Sequence, residues 1–335
     1  MNKYFLLLIF SFMLFDGCRE GPYRNRLNRI YADNIMMLPS YYLKNPGLPS
    51  PAMNREGREL VLLKLSGDTF AWIDATVENG EPFDYKNRLY GKGNQQMADS
   101  VDFPSLARKG LHSENELRNT KIITGRSVSQ ITFEGRPWGS SGVGFMNDDE
   151  TIMSVIMADN RTVKSLGLTH PDLARPLFHL WNISHEFGKY NIDTVTGEEL
   201  QIDALMYNGR EIHSKITGSR GWQESIFKDE ILGSGHIEIS REPDVNELEF
   251  LGENYAYLPA DEYQQLKKDL FTIHTGEMVF FYINRYGFYE GHTEYRIDPV
   301  TVALIFGIRT IEEVHSSCGG DLYKYYKTSF TENPE

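Results

Sequence analysis

Apolar residues are densest between Phe271 and Phe306, in FTIHTGEMVFFYINRYGFYEGHTEYRIDPVTVALIF. Ile273, Val279, Phe280, Phe281, Ile283 and Tyr286 predict a buried helix, with Gly287 as its C-terminal residue. The run Val-Phe-Phe-Tyr-Ile also suits a strand, so β structure competes for the same residues. The period then changes to two. From Tyr289 to Ile297, the residues Glu290, His292, Glu294 and Arg296 fall on one face of an extended segment, and Gly291, Thr293, Tyr295 and Ile297 on the other. Asp298 predicts the cap of a further helix with Pro299 in its first turn, buried through Val300, Val302, Ala303, Leu304, Ile305 and Phe306.

Upstream, Glu59–Ser66 (ELVLLKLS) and Thr69–Val77 (TFAWIDATV) read as strands on either side of a Gly67-Asp68 turn, and Asn79-Gly80 marks another turn. Glu81 to Leu111 is polar and weakly periodic. Ser113 with Glu116 makes a capping-box pattern for a short helix. Helices are expected from Asp148 or Asp149 to Leu166, and from His170-Pro171-Asp172 onward through Leu173, Leu177, Phe178, Leu180 and Trp181. Residues 200–241 carry the clearest β pattern. Gln201–Tyr207 and Arg210–Ile216 flank Asn208-Gly209, a strong hairpin signal; Gly218 to Gly221 turns the chain, and His236–Arg241 alternates again. Glu247–Leu258, Ala260–Leu270, Ile311–Ser317 and Leu322–Phe330 read as helices. The expected fold is α+β: small β elements and a hairpin sheet, with a helical middle and a helical C-terminal part. One globular domain over residues 59–330 is expected, with a weak subdivision near 195.

The N-terminus follows a different pattern. Lys3 precedes an uncharged run from Phe5 to Phe15, too short for a spanning helix but suited to a signal-peptide core. It ends in Leu14-Phe15-Asp16-Gly17-Cys18. This leader resembles a bacterial lipoprotein signal: Gly17 and Cys18 match, while Phe15 and Asp16 depart from the usual aliphatic and small residues. The resemblance implies that residues 1–17 are removed, that Cys18 is acylated, and that the protein is exported and held at the cell envelope, on a membrane, by its lipid. Residues 18–58 then read as a tether, locally basic through Arg19, Arg24, Arg26 and Arg29, and broken by Pro46, Pro49 and Pro51. The only other cysteine is Cys318, expected to be a structural thiol.

Composition narrows the partners. At 40% hydrophobic and 13% aromatic, the chain can fill a core. Its formal charge of −13 argues against nucleic acid, because phosphate binding needs a basic footprint. The leader removes one charge of each sign, so the mature body stays equally acidic.

Two stretches carry candidate chemistry. His274 and Glu277 sit three apart on the predicted helix and would share a face. With Glu290, His292 and Glu294 they would form a ligand set for zinc, manganese or iron, or an acid/base site. The competing reading is a solvated face crossed by weak Glu–Arg and Glu–His pairs. The second stretch is the glycine-rich Gly135–Gly144. There Arg136, Trp138, Gly142 and Gly144 would contact a ligand, with Trp138 stacking on a sugar ring; the alternative is a turn-rich connection with Trp138 buried. Asp148, Asp149 and Glu150 disfavour phosphate at this loop. His179 and His185 are six apart, do not share a helix face well, and read as packed or surface residues. GxSxG, HExxH, P-loop and dinucleotide patterns are absent. The expectation is therefore a lipid-anchored extracytoplasmic protein with a binding or structural role towards a glycan or protein ligand. No cofactor is firmly implied. The rival expectation is a divalent-metal-dependent hydrolase.

Overall fold

The computed structural model describes residues 50–53, 57–65, 69–78, 80–82, 132–133, 136–137, 150, 152–187, 202–224, 232–293 and 295–331. Cys18, Trp138, Gly142, Gly144, Glu294, the Ser113 helix and the junction near 195 lie outside the described residues. Arg136 is described only as part of a short hairpin of β6 (Thr132–Phe133) and β7 (Arg136–Pro137).

The fold is α+β, with an antiparallel sheet at its centre. Leu60 of β2 (Glu59–Leu65) pairs with both Ala52 of β1 (Ala52–Met53) and Asp74 of β3 (Thr69–Asp74). Leu62 pairs with Trp72 of β3 and Met206 of β8 (Ile202–Tyr207). β3 therefore lines one edge of β2, while β1 and then β8 line the other. The sheet continues through β9 (Arg210–Glu224) and β10 (Leu232–Ser240) to β11 (Thr272–Gly276). A small hairpin of β4 (Val77–Glu78) and β5 (Glu81–Pro82) turns at Gly80, as Asn79-Gly80 predicts.

The Asn208-Gly209 turn forms as expected. Tyr207 pairs with Arg210, and φ is 47° at Asn208 and 74° at Gly209, the positive values that a tight two-residue hairpin requires. Three other expectations are corrected. Gly218–Gly221 does not end a strand: β9 runs through it, and residues 219–222 are accommodated opposite Ser234 as an irregularity between two paired stretches. The tether does not reach residue 58. Ser50 is buried and its Oγ accepts from Leu62 N–H at 3.0 Å, so Ser50–Met53 belongs to the fold. Ile273 and His274 are not helical. They lie in β11, where Ile239 pairs with Ile273 and Glu238 with His274.

Helix α1 spans Ile152–Ser165 and α2 His170–Phe187. After β10 come α3 (Val245–Tyr255) and α4 (Ala260–Phe271). β11 then leads into α5 (Met278–Tyr286), all nine residues of which are buried. Phe281 meets Phe178 and Trp181 of α2 edge-on, at ring-centre distances of 5.1 and 6.0 Å. Burying one such side chain contributes about 1.5–3 kcal/mol. Gly287 ends α5 at φ 62°, its N–H donating to Tyr282 and Ile283 carbonyls, and a Cβ there would stand 2.7 Å from His170 Nε2. Glycine is needed for both reasons. Helix α6 (Pro299–Ile305) is capped by Asp298, which accepts from Val300 N–H, and is wholly buried. Helices α7 (Ile311–Ser317) and α8 (Leu322–Thr331) close the described chain. Among the described residues, no helix is long and apolar enough to cross a membrane.

Candidate functional site

The Tyr289–Ile297 segment is not extended. Ile297 N–H donates to Tyr289 C=O at 3.1 Å, closing the segment into a loop. Within it, Thr293 N–H reaches Gly291 C=O at 2.6 Å and Arg296 N–H reaches Thr293 C=O at 3.2 Å. Glu290 takes φ 64°, a left-handed conformation that costs a non-glycine residue about 1–2 kcal/mol. The period-2 pattern is present in the sequence, but among the described residues no strand pairs with this segment, and His292, Glu290 and Arg296 take different partners.

Arg296 holds this loop to the body. Its guanidinium donates to the Glu290 carbonyl at 2.6 Å and forms a two-pronged pair with Asp159 of α1. Asp298 lies 4.0 Å from the same guanidinium and also accepts from Tyr325 O–H at 3.1 Å. The side chains of Arg296, Asp159 and Asp298 are 4%, 2% and 5% exposed, so water screens little of this interaction. Burial pushes Asp159 up to about 6 against the pull of Arg296, leaving it ionised at neutral pH. Burial also raises Asp298, again opposed by Arg296.

Glu290 differs from these two. Its carboxyl is buried, and burial pushes it up to about 8, although the Thr293 hydroxyl and Arg296 both pull it down. At neutral pH it keeps its proton. Such a group can donate a hydrogen bond or a proton, the behaviour expected of a carboxyl in an apolar setting.

His292 turns the other way. Its N–H points at both carboxylate oxygens of Glu150 at 3.1 Å, and its Nδ1 also contacts Glu150. Beside the loop, His170 bridges Tyr289 and Asn160: Nε2 stands 3.2 Å from Asn160 Oδ1 and Nδ1 stands 3.0 Å from Tyr289 Oη. Burial lowers His170 to about 4, so its ring is neutral. Since the amide oxygen only accepts, Nε2 carries the hydrogen and Nδ1 accepts from the tyrosine.

The four described members of the metal set expected from sequence, His274, Glu277, Glu290 and His292, do not converge; Glu294 lies outside the described residues. His274 is on an exposed position of β11, not on a helix face with Glu277. Glu277, just before α5, is buried and accepts from Gly235 N–H at 3.2 Å and Trp181 Nε1–H at 3.3 Å. Glu290 points inward and His292 engages Glu150. Among the described residues, no three of His, Cys, Asp or Glu converge as a metal-holding group.

One polar cluster had no sequence signal. Glu59, buried at the start of β2, accepts from His179 Nε2–H at 2.6 Å and Val77 N–H at 3.3 Å, and pairs with Arg175. Burial drives His179 down to about 3, so it is neutral. Its Nδ1 has no hydrogen-bond partner among the described residues. The expectation of a packed His179 holds; its partner lies 120 residues away, and no local pattern announces it. Cys318 is half-buried, and burial raises its thiol to about 12, which suits a structural rather than nucleophilic cysteine.

The buried Glu290 makes a prediction. Its ordinary value of 4.5 rises to about 8 on folding, so between these values the folded chain holds more protons than the unfolded one. Stability therefore falls as pH rises through that window, by up to a few kcal/mol. Glu290→Gln, uncharged throughout, is expected to flatten this fall and to be the more stable form at pH 8. Urea midpoints from pH 5 to 9 test it; equal slopes in the two proteins would remove the protonated Glu290 from the account.

Compared with protein-family models, with curated proteins and with solved structures, the chain matches none.

Proposed function

We propose that this is a lipid-anchored extracytoplasmic protein whose folded body has a binding or structural role. The observation that carries the proposal is the leader: an uncharged run from Phe5 to Phe15 closed by Gly17-Cys18. The disposition of the polar residues supports the second half. Arg296, Asp159 and Asp298 brace a loop, Glu277 ties α5 to α2 and β10, and Glu290 is turned inward with its proton. Side chains engaged in this way favour a rigid body over the metal-dependent hydrolase built on the same residues.

The test is fractionation with intact-mass measurement on wild type and Cys18→Ala. The wild-type chain is expected in the membrane fraction, with its leader removed and acyl mass on Cys18; the variant is expected to lose both the acyl mass and the processing. A wild-type protein recovered unlipidated in the soluble fraction would defeat the proposal.

A further inference from the structure

We infer that His236 and His274 form a two-histidine site for a late first-row divalent cation, of the copper, nickel or zinc class. The two residues lie on adjacent antiparallel strands, β10 and β11. Ile237 and Ile239 of β10 and Ile273 and Thr275 of β11 point into the core, so the alternation puts His236, Glu238 and His274 on the opposite face. His236 is directly opposite Gly276, and His274 directly opposite Glu238. The histidines are thus diagonal neighbours, and their ring centres are 6.2 Å apart. At metal–nitrogen bonds of about 2.0–2.1 Å and a tetrahedral angle, a shared ion would bring the ring centres to about 5 Å, so the two side chains close by about 1 Å on binding.

Three further features fit such a site. Gly276 leaves room beside His236: a Cβ there would have only the Gly235 carbonyl within reach, at 4.0 Å. Tyr295 fixes both rings, stacking on His236 at 4.9 Å and meeting His274 edge-on at 5.3 Å. Its own backbone is tied down by Thr275 Oγ1–H, which donates to the Tyr295 carbonyl at 2.7 Å. Glu238, opposite His274, adds negative charge next to the site, and Lys215 of β9 stands opposite Glu238 in register. With two protein ligands, the remaining coordination positions belong to water. Imidazole selects copper, nickel and zinc over magnesium and calcium, which prefer oxygen.

This site is separate from the five-residue set read from sequence, shares only His274 with it, and stands whether or not Cys18 carries lipid. The experiment is calorimetric titration of the purified full chain, free of any histidine tag, with copper, nickel and zinc chlorides. Magnesium and calcium serve as controls. One-to-one binding is expected for the first three alone. His236→Gln and His274→Gln should each weaken binding tenfold or more. His213→Gln, exposed on β9 of the same sheet, should leave it unchanged. The His274 variant changes an exposed side chain on an edge strand, so its folding is preserved; a circular dichroism spectrum checks that. No binding by the wild type, or undiminished binding in both the His236 and His274 variants, overturns the inference.

Discussion

Replacing Arg296 with alanine is expected to lower the stability of the folded chain by about 3–5 kcal/mol, the usual cost of removing one partner from a buried ion pair. The change strands Asp159 and Asp298, both inside the protein, without their cation. It also removes the donor to the Glu290 carbonyl, which helps hold that residue at its positive φ. The loss therefore combines an unpaired buried charge with release of a strained loop. Arg296→Lys keeps the charge but not the two-pronged geometry and should fall between wild type and alanine. Arg296 Nε itself makes no hydrogen bond among the described residues, so the network is not fully satisfied even when intact. Chemical denaturation at pH 7 measures the difference; a loss under about 1 kcal/mol would mean that the loop is held by its apolar contacts instead.

Arg241→Ala should cost a similar amount, about 3–5 kcal/mol, for a related reason. Its guanidinium is buried and pairs with Glu247 through both arms, at 2.5 and 2.6 Å. It also donates to the carbonyls of Leu304 and Ile305, at the C-terminal end of α6 where backbone acceptors lack helical partners. Phe271 lies under it at 4.7 Å. One side chain thus joins the end of β10, the start of α3, the end of α4 and the end of α6. Glu247 has a second role, closing a capping box with Asp244 at the start of α3. Glu247→Gln keeps one acceptor oxygen for the box but turns an amide NH2 toward an Arg241 donor, so it gives up the charge and one hydrogen bond while sparing the cap. It should therefore lose less than Arg241→Ala, which also gives up the bonds to α6, and comparing their urea midpoints separates the ion pair from those bonds. Equal losses would assign the whole effect to the ion pair and none to the bonds from Arg241 to the α6 carbonyls.

Features governed by neighbours in sequence were legible before the fold was known. The Asn208-Gly209 hairpin, the Gly287 stop, the Asp298-Pro299 start and the Ile311–Ser317 helix each rest on a backbone preference or a cap within a few residues. So does the α+β class, and so does the burial of α5 and α6, because nearly continuous apolar runs have nowhere else to go. What the tertiary structure alone decided are the long-range pairings. Thr272–Gly276 is a strand because β10 offers it an edge, although its few residues adjoin a helical run. Glu290 to Arg296 alternates like a strand but closes into a loop, because Arg296 finds Asp159 across 137 residues of chain. His179 finds Glu59 across 120 residues, and Glu277 finds Trp181 across 96. A buried charge must have a partner, but its chemistry does not say which residue the fold will bring to it.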